Sequence, residues 1–105
     1  MIGINSITSP FTRMMFEVDP SNFSVKRQIS TGRFPREIAV SEKAGVIIIA
    51  NYGDGTVHII DLKTWKRLKV VNVGKLVRSI VVDPETGRTF VVSACGVFEL
   101  KLDNL

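Results

Sequence analysis

The chain has 105 residues, of which 45% are hydrophobic and 23% charged, with a formal net charge of +4; these are the proportions of one small globular domain. Mean hydropathy is +0.21, yet no apolar run approaches the roughly 18 residues a membrane-spanning helix requires, so no such span is expected. The single Cys95 excludes an internal disulfide framework and a thiolate metal site, and residues 1–5 lack the basic start and apolar core of a signal peptide.

The chain repeats itself with a period of about 42 residues, a length typical of repeat architectures. In chain order, residues 4–31 read as an incomplete first unit. Moved forward by one period, Ile7 falls on Ile49, Phe16 on His58, Val18 on Ile60, Asp19 on Asp61 and Phe23 on Trp65. Residues 32–73 form a complete unit with four short predicted strands. Glu37–Val40 is the first, and Ser41–Gly45 turns the chain, its glycine suiting a turn closed by a left-handed residue. Val46–Ala50 is a continuous apolar run, the pattern of a strand covered on both faces. The Asp-Gly turn at Asn51–Gly55 leads into Thr56–Asp61, and Leu62–Trp65 leads into the more polar Lys66–Asn72.

Residues 74–105 repeat the pattern through a third strand. One period carries Gly32 to Gly74, Arg36 to Arg78, Ile38 to Ile80 and Gly45 to Gly87. A shorter turn then reduces the offset slightly, which pairs Val57 with Val97 and His58 with Phe98. Four short antiparallel strands in each period, with no helical periodicity, match a β-propeller blade. The expected fold is therefore all-β, built of antiparallel four-stranded propeller blades. The chain's length amounts to about 2.5 such blades, and closed propellers need roughly four to eight. An incomplete propeller follows, with strands two to four of one blade, all of a second, and strands one to three of a third.

The stretch Ile48–Asp61, together with Val73-Gly74 and Pro35-Arg36-Glu37-Ile38-Ala39-Val40, resembles the YVTN-type β-propeller repeat. The tetrapeptide that names the family is degenerate here, as Ile48-Ile49-Ala50-Asn51 and Phe90-Val91-Val92-Ser93. The resemblance carries no catalytic signature. It implies a secreted, periplasmic or cell-surface setting, which the N-terminus does not itself announce. It also brings in related propellers that are lactonases or haem-binding domains, whereas the marks of the WD40 class are missing.

His58 is the only histidine, and its repeat equivalents Phe16 and Phe98 make it a packing position. Cys95, in a tight turn with no base beside it, reads as a small, at most half-buried residue. Neither cofactor nor metal is expected. Arg36 and Arg78 precede the innermost strands at equivalent positions, flanked by Arg33 and Lys75, and would form a positive rim that attracts anions or an acidic protein surface. Pairing with Glu37 or Asp83 is the alternative use for these arginines. Asn51 and Tyr52 should lie on the same face, as ligand contacts or as strand terminators. Trp65 and Phe23 should pack between blades. Lys63, Lys66, Arg67 and Lys69 surround no nucleic-acid motif, and lysines on an outer strand protect an edge. The expected partners are thus a protein, the remaining blades, or a second copy of the chain. The expected role is a non-enzymatic binding or scaffold module, opposed by a lactonase-like hydrolase or a structural piece of a cell-surface assembly.

Overall fold

Val46–Asn51 is buried at every residue, and the arrangement around it explains why six consecutive side chains can avoid water. The computed structural model describes residues 6–9, 13–103 and 105; the expected start of the first blade at residue 4 lies outside them. Among these residues there are ten strands: β1 (Ser6–Ser9), β2 (Met14–Val18), β3 (Val25–Ser30), β4 (Pro35–Ser41), β5 (Val46–Asn51), β6 (Thr56–Asp61), β7 (Arg67–Asn72), β8 (Ser79–Val82), β9 (Thr89–Ser93) and β10 (Gly96–Leu100). They form three antiparallel sheets in which chain neighbours pair: β1-β2-β3, β4-β5-β6-β7 and β8-β9-β10. This is an all-β, propeller-type array that does not close.

Successive side chains of a strand point to opposite faces, and β5 uses both. Val46, Ile48 and Ala50 join Val57, Ile59, Val77, Ile80, Val91 and Leu100 in a core shared with the β8–β10 sheet. Ile47 and Ile49 join Ile60, Trp65 and Met15 in a second core, shared with the β1–β3 sheet. Each fully buried aliphatic side chain contributes about 1.5–3 kcal/mol. The middle sheet is thus held from both sides, which accounts for the unbroken apolar run. Strand β7, by contrast, exposes Leu68, Lys69 and Val70, as the outermost strand of its sheet.

The turns follow the repeat. Gly45 and Gly87 close the first turn of their sheets at φ 69° and 78°, where a Cβ would be strained. Phe23 and Trp65, one period apart, share the left-handed region at 59° and 61°. Trp65 is buried against Met15, and Arg27 lies over its ring at 4.9 Å while pairing with Glu17 at 2.9 Å. Phe23 has no such cover and is 77% exposed.

Candidate functional site

The loops that precede the innermost strands and those that follow the second strands meet at one end of the sheets, and a chain of hydrogen bonds locks them together. Tyr52 N and Gly53 N donate to Phe34 O and Arg33 O, both at 2.9 Å. Gly55 O accepts from Val73 N at 2.9 Å and from Gly74 N at 3.2 Å, and Ala94 N donates to Lys75 O at 3.0 Å. The order across the surface is therefore loop 31–35, turn 51–55, loop 73–78 and turn 93–96. Arg33, Arg36, Tyr52, Lys75 and Arg78 stand on this one surface.

Asn51 belongs to the layer beneath. It is fully buried, its Oδ1 accepting from Gly32 N at 3.1 Å and its Nδ2 donating to Thr56 Oγ1 at 3.3 Å. Asp54 Oδ2 accepts from Arg33 N at 2.7 Å. These bonds draw Gly32 so close that a Cβ there would lie 2.5 Å from Asp54 Oδ2 and 2.8 Å from Asn51 Cγ, so only glycine fits without a shift. Asn51 positions the loop, and its side-chain amide is used inside the chain. Ser93 does the same in the next copy, its Oγ donating to Val73 O at 2.7 Å and accepting from Cys95 N at 3.1 Å.

Arg36 is aimed by a β-bulge. Pro35 pairs with Asn51 and Glu37 with Ala50, which leaves Arg36 as the extra residue; bulges commonly redirect a side chain in this way. Its guanidinium lies 5.1 Å from the centroid of the Tyr52 ring, a cation–π distance. Phe34, Pro35, Arg36 and Tyr52 line a shallow hollow of about 340 Å³. Phe34 and Leu76, again one period apart, both take left-handed backbone at φ 54° and 59°, and both side chains are exposed.

Glu37 and Asp83, the two carboxylates considered as partners for the arginines, are engaged elsewhere, and Asp54 on the loop face accepts from the Arg33 backbone. Glu37 Oε2 accepts from Ile80 N at 3.0 Å, bridging the β4–β7 and β8–β10 sheets. Asp83 accepts from Glu85 N at 3.0 Å and Thr86 Oγ1 at 2.9 Å; these hydrogen bonds hold its carboxyl below the ordinary value. Among the described residues, Arg33, Arg36, Lys75 and Arg78 make no ion pair. A larger cleft of about 460 Å³ lies at the opposite end, near Lys43, Arg88, Glu99 and Lys101. There Glu99 already pairs with Arg88 at 3.0 Å and Lys101 at 3.5 Å, so a carboxylate stands among the cations of that cleft.

Cys95 departs from expectation. It is exposed, because the turn between β9 and β10 is only the pair Ala94-Cys95, Ser93 being directly opposite Gly96. His58 is buried on the face of β6 turned toward the β1–β3 sheet, as a packing position should be. Among the described residues, its Nδ1 has no hydrogen-bond partner. No group of three His, Cys, Asp or Glu side chains suited to a metal occurs among the described residues.

Fold and surface together define a propeller-type repeat protein with a cationic loop face. No protein-family model matches the chain, and no curated protein matches it. Among solved structures it is similar to the dihydro-heme d1 dehydrogenase NirN in complex with DHE, a propeller-like protein. The TM-score is 0.80 at 17% identity, over 97% of this chain and 23% of that one. The likeness is one of fold, and this chain spans under a quarter of the neighbour's length.

Proposed function

We propose that the chain is a non-enzymatic binding module, part of a YVTN-like β-propeller, whose loop face takes an acidic protein segment or a small anionic ligand. The observation that carries this reading is the set of four cations without ion pairs at repeat-equivalent places, Arg33 with Lys75 and Arg36 with Arg78. Guanidinium groups present planar donor forks that match carboxylates, and Phe34, Leu76 and Tyr52 supply apolar area beside them. That the similar fold of NirN is found with a small ligand, DHE, supports a small molecule beside the protein alternative.

Calorimetric titration with citrate and with an oligoglutamate peptide, at low and high salt, tests the proposal. Binding should weaken steeply with salt, and the double change Arg36→Glu/Arg78→Glu should abolish it. Undiminished binding by that variant would overturn the reading, as would a failure of the unaltered chain to bind either probe.

A further inference from the structure

The inter-sheet contact occurs twice within this chain, and each of its halves is displayed once more on an outer surface. The middle sheet turns Ala39, Val46, Ile48, Ala50, Val57 and Ile59 toward the β8–β10 sheet. The repeat carries these positions to Val81, Arg88, Phe90, Val92, Val97 and Glu99. Alternation against the inward Ile80, Val91 and Leu100 places them on the far face of β8–β10. Among the described residues this face is partly open to solvent: Val81 is 56% and Val97 68% exposed, while Phe90 and Val92 are half-buried.

The opposite end shows the other half. The middle sheet's second face meets β1–β3 through Ile60 and Trp65, beside His58. Their equivalents one period earlier are Val18, Phe23 and Phe16. Met15 faces the middle sheet, so alternation turns Phe16 away from it, and Phe23 and Val25 are both exposed.

We propose that these two surfaces pair between copies: the outer face of β8–β10 in one copy receives the outer face of β1–β3 in a second copy. The pairing is head-to-tail, because the surfaces are unlike halves of one contact, and such an interface closes into a ring when its rotation allows. Two copies supply six sheets, within the four to eight of closed propellers. The contact joins faces and not edges, so the strands absent from the outer sheets do not bar it. Where Val46 and Ile59 stand in the middle sheet, the outer face of β8–β10 carries Arg88 and Glu99. These two pair at 3.0 Å, and Arg88 also lies 5.1 Å from the Phe90 ring. The Glu99 carboxylate also pairs with Lys101 at 3.5 Å, so each charge of this cluster has a partner, and the cluster of two cations and one carboxylate carries one net positive charge. This surface is separate from the cationic loop face, and the inference stands or falls independently of it.

Sedimentation velocity on the full chain and two exposed-site variants tests it, with circular dichroism to verify folding. Val97→Lys blocks one face and Phe23→Lys the other. Either change should weaken association at least about tenfold, since a lysine would be buried in the contact. The expected result is a defined oligomer for the unaltered chain, single copies for each variant, and a two-chain species when the variants are mixed, since each retains the face the other lacks. A single-copy unaltered chain at high micromolar concentration would overturn the proposal. So would self-association of Phe23→Lys alone, or an equimolar mixture that stays dissociated.

Discussion

At position 58 the repeat places Phe16 and Phe98 in the neighbouring copies, and this copy places a histidine. Burial lowers the His58 pKa from its ordinary value, with nearby Arg67 adding to the effect and Asp54 opposing it. The folded state therefore holds fewer protons than the unfolded one, whose imidazole titrates near about 6.5. The contribution to stability is present above that value and is lost as pH falls toward the lowered folded pKa. Urea denaturation at several pH values between 7.5 and 5 should show stability declining on acidification. His58→Phe should flatten that decline and raise stability at neutral pH by about 1 kcal/mol, since it removes a buried nitrogen without a partner. The packing role of His58 was legible because two other copies answer the question. The positioning role of Asn51 was not: the same residue type serves a ligand or a buried turn, and only its bond to Gly32 N decides between them.

Strands of one sheet differ sharply in what they contribute, and the difference follows from which faces are covered. Ile48 on β5 is fully buried, whereas Val70 on β7 is half exposed. Ile48→Ala should cost about 2–5 kcal/mol, and Val70→Lys should stay within about 0.5 kcal/mol; urea midpoints of the two variants check this contrast. The strand pattern was readable because β5 is wholly apolar and β7 is charged, and covered and edge strands demand those compositions. The aim of Arg36 was hidden at this scale. A bulge is a mismatch between two strands, so it is visible only in their pairing, where Arg36 has no opposite residue.

Across the whole molecule, cover falls away from the middle sheet toward both ends. In the single copy, amide hydrogen exchange should be slowest in β5 and β6 and markedly faster in β3 and β10, whose sheets pack on one side only. Equal protection in all three sheets would contradict this account of what holds the fold together. The sequence by itself determined the period, the strands and the propeller-type architecture, because glycine turns and two-sided apolar runs are local requirements that recur once per period. Only the tertiary structure decided how the loop face is built. There Glu37 bonds to Ile80 N and Asp83 caps its own turn, which leaves the arginines their charge. The Asp83 partners lie two and three residues on in its own turn, but the Glu37 partner comes from another sheet, and no spacing along the chain encodes that a backbone N–H 43 residues away will claim this carboxylate.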